Sequence, residues 1–300
     1  MSAAAAYDEF SMFEDNATEV GLPWSGPPNV RRESVDVGGG QHLSALVWGD
    51  GPPEIVLLHG GGQNAHTWDT VALALAKPLV AIDLPGHGHS DWRDDHDYSP
   101  LTSAPAVATA MRALAPGAQL LVGMSLGGMT AMRVAAEFPE LVPKLAIVDV
   151  TPGVDETKAE PIIAFLSGPE RFESFDEILD RTVQFNPTRT VSSLRRGVLH
   201  NAKELDDGSW TWRYDPVRAW KEIERPAVAF VDLWDDVGRI KAPMLLLRGG
   251  LSGVVSDDDI AEVKRRKPDA EVVTVEGAGH SIQGDQPVEL ARLLDAFLSA

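Results

Sequence analysis

The pentapeptide Gly123-Met124-Ser125-Leu126-Gly127 constrains this chain more than any other stretch. A short apolar run, residues 120–122, precedes it, and helical character over residues 125–138 follows it. G-x-S-x-G between a strand and a helix requires a strained turn that lifts the serine hydroxyl to the top of a sheet. Its small residues let the strand and helix backbones approach. The helix that starts there points its free N–H groups and the positive end of its dipole at the same spot. The plain alternative is a serine N-cap flanked by incidental glycines, and the strand–turn–helix context weighs against it.

The rest of the chain has the same rhythm. Residues 55–58, 79–82, 120–122 and 145–148 are short apolar runs, as expected of strands covered on both faces. Helical stretches over 67–76, 104–115 and 125–138 separate them. This alternation predicts the α/β class, a mostly parallel sheet flanked by helices. Two strands, 33–37 and 43–48, come earlier, joined by a turn at Gly38–Gly40 where glycine tolerates positive φ. The pattern resumes with strands over 244–247 and 272–275 and helices over 258–266 and 287–298.

Between residues 150 and 237 the rhythm breaks. Pro152, Pro161, Pro169, Pro187, Pro216 and Pro226 fall there, with helical patches over 175–183 and 191–199 and no strong strand. We read a helical insertion over the carboxyl edge of the sheet, where open α/β folds bind ligands. The organisation expected is an arm over 1–30, partly helical around Phe10, Met12 and Phe13, a core over 31–152 and 235–300, and a helical lid over 153–234, after the sixth strand.

Composition narrows the partners. The formal charge of −19 repels phosphate backbones and anionic lipid, so neither nucleic acid nor a membrane is expected. With no cysteine, disulfides, thiolate catalysis and cysteine-based metal sites drop out. The first residues lack a basic and apolar leader, and no apolar run approaches the roughly 18 residues of a membrane span. A cytoplasmic protein without cofactor or metal is expected, with a homodimer left open.

Two more segments belong to the same edge. His59-Gly60-Gly61-Gly62 follows residues 55–58, so the N–H groups of Gly61 and Leu126 would converge as an oxyanion hole. Asp83-Leu84-Pro85-Gly86-His87-Gly88-His89-Ser90 follows residues 79–82. With Gly277-Ala278-Gly279-His280 near the end, these pieces occur in an order that resembles the α/β-hydrolase superfamily, of the small, lid-bearing kind. The resemblance implies a serine hydrolase, with Ser125 as nucleophile and His280 as general base.

The acid departs from the commonest family pattern, Gly-x-x-Ser-Asp after the penultimate strand. This chain has Gly249-Gly250-Leu251-Ser252-Gly253, with glycine in the place of aspartate. Some members take the acid from the end of strand six, which here is Asp149. Asp257 or Asp258 is the alternative, although Ser256-Asp257-Asp258-Asp259 also reads as an ordinary helix start. Among the other histidines, His59 and His87 read as braces of their loops, and His66 and His89 as residues of the mouth. His42, His96 and His200 have no motif context, and no metal constellation stands out.

Trp210, Trp212, Tyr214, Trp220 and Phe230 could line a pocket or glue the insertion to the core. A medium, mainly apolar ester or lactone fits best, cleaved through an acyl-enzyme on Ser125. Carbon–carbon bond hydrolysis of a diketone-like substrate uses a similar triad. A non-catalytic ligand-binding member of the fold is the reading from another class.

Overall fold

The computed structural model describes residues 7–216 and 231–300. Eight strands form one sheet: β1 (Val30–Gly38), β2 (Gln41–Trp48), β3 (Ile55–Leu58), β4 (Leu79–Ile82), β5 (Leu120–Met124), β6 (Leu145–Val148), and two that follow the insertion, Met244–Gly249 and Glu271–Val275. Their spatial order is β1-β2-β4-β3-β5-β6 and then those two strands. Only the pairs β1–β2 and β2–β4 are antiparallel, so β2 alone runs against the rest. The central strands are buried on both faces, which is why they read as unbroken apolar runs.

Alternate residues of these strands feed two cores. Val56, Leu58, Ile147 and Leu246 face one layer, with Val107, Met111 and Val134 from the helices α3 (Pro100–Leu114) and α4 (Leu126–Glu137). Ile55, Leu57, Val148 and Leu247 face the other layer, with Val71 of α2 (Asp69–Leu75) and Leu290, Leu294 and Phe297 of the C-terminal helix Pro287–Ser299. Ser99 caps α3 by accepting from Thr102 N–H, and Pro100 occupies the first turn, where its missing donor costs nothing. The helix expected over 67–76 is divided after Trp68: a short 3-10 turn, Ala65–Trp68, which Asn64 caps by accepting from His66 N–H, precedes α2.

The insertion after β6 carries helices α5 (Glu156–Leu166), α6 (Phe175–Phe185) and α7 (Val191–Asn201). It also holds a three-stranded antiparallel sheet, with Arg171–Phe172 and Ala202–Glu204 on either side of Trp210–Trp212. No strong strand is expected there, and the three strands present are only two or three residues long. Segments of two or three residues are too short to show an alternating pattern. Phe172, Ile178, Leu194, Val198, Trp212 and Tyr214 form a small core of their own. Pro226, Trp220 and Phe230 lie outside the described residues. Among those described, no helix is long and apolar enough to cross a membrane.

The arm is packed rather than loose. Its helix α1 (Phe13–Glu19) buries Phe13 against Trp48, and the rings lie 4.9 Å apart. Asn16 accepts from Arg196 Nε at 2.6 Å, and Glu19 pairs with the same arginine. Glu9 pairs with Arg32, which also holds Asp83. His66 lies between Asp69, at 2.9 Å, and Glu9, at 3.3 Å. Burial opposes its protonation, but the two carboxylates outweigh burial and raise its pKa to about 9.

That pKa ties the stability of the fold around His66 to pH, chiefly through Asp69 of α2 and in smaller part through Glu9 of the arm. The folded value lies above the ordinary one of 6.5, so the stabilisation is complete below about pH 6.5 and disappears as pH rises through 9. It amounts to no more than about 3 kcal/mol. The melting temperature is therefore expected to fall more steeply between pH 7 and 10 in the wild type than in His66→Gln. Parallel curves for the two proteins would contradict this assignment.

Candidate active site

Ser125 has φ +50°, a conformation that a residue with a Cβ adopts only when its surroundings force it. The force is close packing of backbones. A Cβ on Gly123 would meet Gly127 O at 2.3 Å, and one on Gly127 would meet His59 O at 2.4 Å. Only glycine at both positions lets β5, the turn and α4 pass each other. Leu126 opens α4, so its N–H belongs to the first turn, where no intrahelical acceptor exists. Gly61 lies in the wall of the same cavity as Ser125. Beside it, a Cβ on Gly60 would approach Ser125 Cβ to 3.2 Å, so the two turns are in direct contact.

His280, in the loop after the last strand, Glu271–Val275, reaches Asp149 at the end of β6 across the intervening strand Met244–Gly249. His280 Nδ1–H donates to Asp149 Oδ2 at 2.8 Å. Asp149 is fully buried and also has φ +50°. It accepts two further hydrogen bonds, from Gly249 N–H at 2.8 Å and from the Ser252 hydroxyl at 2.5 Å. Three donors satisfy a carboxylate that would be costly to bury alone. With Nδ1 held, His280 Nε2 is shielded from solvent and has no hydrogen-bond partner among the described residues. His280 and Ser125 both line one cavity of about 590 Å³.

Residues 55–293 match the profile of the alpha/beta hydrolase family. The chain belongs to that family. It is 47% identical over 299 residues to the esterase Rv0045c of Mycobacterium tuberculosis, an alignment that covers 97% of this chain and 96% of the relative. A solved structure of that tuberculosis esterase superposes with a TM-score of 0.86 at 46% identity, covering 99% of this chain and 100% of the other. A pimeloyl-[acyl-carrier protein] methyl ester esterase of Aeromonas salmonicida is 29% identical over 270 residues, 85% of this chain and 99% of that one.

Within this hydrolase the alternative carboxylates stand apart from His280. Asp257 is almost fully exposed and pairs with Arg248, and Asp258 is exposed beside it. Both belong to the first turn of the helix Asp257–Arg266, which Ser256 and Asp259 close with a capping box. Gly253, where the commoner pattern carries aspartate, faces open space. The strand pairing explains the neighbours of Asp149. Leu247 pairs with Val148, which sets Gly249 beside Asp149. A Cβ on Gly249 would collide with Gly279 O at 2.3 Å, so the close approach itself requires glycine.

The motif loops brace the site. His59 Nε2 accepts from Leu84 N–H at 2.9 Å, which makes it the unprotonated nitrogen and leaves Nδ1–H to donate to Gly60 O at 2.8 Å. Asp83 accepts from Ala65 N–H and His89 N–H, tying both loops together. Burial and the neighbouring His59 push His87 down to about 3. His66 borders the cavity as expected, but His89 does not. His42 pairs with Asp91, and His96 with Asp215.

Two residues make contacts at the site that their sequence context does not signal. Ser252 holds Asp149 although it precedes a missing aspartate. His200 borders the cavity and stacks on His66 with ring centroids 3.8 Å apart and planes 9° apart. His66, Asp69 and His200 bring ligand-type atoms within 4.8 Å of one another, although stacked rings send their in-plane lone pairs along parallel lines. The insertion aromatics divide between the two expectations. Trp212 both lines the cavity and packs in the small core, whereas Trp210 and Tyr214 only pack. No sequence signal separates these cases, because both use the same residue types.

Proposed function

We propose that this hydrolase cleaves carboxylic esters, lactones among them, through an acyl-enzyme on Ser125. The observation that carries the reading is the Asp149–His280 bond, which commits Nδ1 as the donor and leaves Nε2 as the basic nitrogen in the cavity of Ser125. In the first half-reaction His280 Nε2 takes the hydroxyl proton as Ser125 Oγ adds to the ester carbonyl. The N–H groups of Gly61 and Leu126 hold the oxyanion, and Asp149 stabilises the imidazolium. The tetrahedral species collapses, the alkoxide leaves with the proton from His280, and the acyl group stays on Oγ. Water, deprotonated by His280, then adds to the acyl-enzyme and releases the carboxylic acid.

The names of the relatives support ester bonds as the target, since two of them are described as esterases. We take residues 153–234 as a lid. That reading is supported by Ile162, Phe165 and Leu166 of α5 lining the cavity and by Gly62, where a Cβ would meet Leu166 Cδ2 at 2.3 Å.

The test is partition of the acyl-enzyme. Butanoate esters with different leaving groups are turned over in the presence of methanol. One intermediate predicts the same ratio of methyl butanoate to butanoic acid from every ester. A ratio that changes with the leaving group would contradict it. Cleavage of a β-diketone by a protein that leaves all esters intact would favour the carbon–carbon reading.

A further inference from the structure

Arg189 stands in the cavity wall, one residue before Thr190, whose side chain caps α7. Its Nη2 donates to Ser193 Oγ at 2.5 Å. Its Nε is shielded from solvent and has no hydrogen-bond partner, and the guanidinium makes no ion pair among the described residues. The carboxylates whose field reaches it are Asp285 and Glu19. Both are engaged elsewhere. Asp285 accepts from Gly279 N–H at 2.8 Å and from the Thr188 hydroxyl at 3.3 Å. Glu19 accepts from Arg196 and Thr190. Arg196 makes the contrast plain, because Asn16, Ser192 and Glu19 take its donors.

An arginine cannot shed its charge, so a half-buried guanidinium with a shielded Nε and no counter-ion is costly unless something else supplies one. Its position suggests what. A Cβ on Gly284 would lie 2.9 Å from Arg189 Cζ and Nη1 and 3.0 Å from Nε, so the planar group lies flat on Gly284. Gly284 is in the short helix Ile282–Asp285, directly after His280. In the reaction above His280 gives its proton to the leaving alkoxide, so the alcohol portion of the ester lies on the His280 side. The start of α7 adds the positive end of its dipole there.

We propose that Arg189 binds a carboxylate on the alcohol portion of the substrate, so that the preferred ester is an O-acylated hydroxy acid. Nη1, which makes no hydrogen bond among the described residues, and the second N–H of Nη2 present the end of the guanidinium fork to the two oxygens of a carboxylate. Ile162, Phe165, Leu166 and Trp212 give the cavity an apolar stretch of wall for the acyl chain. This inference rests on the ester hydrolysis proposed above.

The test uses the full-length protein and a matched pair, 3-acetoxybutanoate and 3-acetoxybutanamide, which share the ester and differ in charge. Acetate release gives kcat/KM for each. The wild type is expected to favour the carboxylate by roughly tenfold to hundredfold, mostly through KM. In Arg189→Gln the ratio should fall to within about threefold of unity, and Arg189→Lys should retain part of it. The ratio is internal to each preparation, so partial misfolding does not imitate the effect. A ratio equal in wild type and Arg189→Gln overturns the proposal. So does turnover of para-nitrophenyl butanoate by a protein that accepts neither compound. Failure to hydrolyse para-nitrophenyl butanoate as well would overturn the esterase reading and this inference with it.

Discussion

Asp149→Asn is expected to lower kcat about 10⁴-fold while Asp257→Asn leaves it within about twofold, measured on one activated ester. Asp149 accepts three hydrogen bonds, from Gly249, Ser252 and His280. An asparagine has one acceptor oxygen and one NH₂, so at least one of those donors would face another donor. If the NH₂ faces His280, Nδ1 must become the acceptor and the proton moves to Nε2. The imidazole then sits in the right place in the wrong tautomer, and it cannot take the serine proton. Asp257 lies on the surface and pairs with Arg248, so its loss removes an exposed ion pair of small value. A melting curve on Asp149→Asn separates the two consequences, because a folded but slow enzyme is the expected product. Comparable losses at both positions would count against Asp149 as the acid.

Ser125→Ala should have the larger effect, a fall in kcat on the order of 10⁶-fold. The substitution is unusually clean. Alanine keeps the Cβ, so the positive φ is no more strained than in the native turn. The close passages at Gly123 and Gly127 are untouched. Residual rate would come from binding and the oxyanion donors alone. A variant that folded normally and kept a tenth of the activity would move the nucleophile elsewhere.

Much of this architecture was legible before any coordinates. Residues 55–58, 79–82 and 145–148 are strands with the expected ends, because a strand buried on both faces has no polar residue to blur its limits. The turn at Ser125 was legible too, since its glycines are demanded by backbone contacts within a few residues of the motif. What escaped depends on contacts between distant segments. Asp149 was named from the sequence, but its contact with Gly249 follows from the pairing of Leu247 with Val148, and strand order is not written locally. The part played by Ser252 follows from the same pairing. The small sheet of the insertion joins Arg171–Phe172, Ala202–Glu204 and Trp210–Trp212, each too short to signal itself. The packing of the arm rests on Asn16 and Glu19 meeting Arg196, 180 and 177 residues further along the chain, and each reads singly as a solvated polar group. Whether an arginine such as Arg189 has a counter-ion is likewise a tertiary fact.

The most direct measurement is the intact mass of the protein after treatment with a fluorophosphonate, followed by peptide mapping. The account predicts a single adduct, on Ser125, absent from Ser125→Ala and formed far more slowly in Asp149→Asn. A folded wild-type protein that stays unlabelled, or that carries its adduct on another residue, would contradict it.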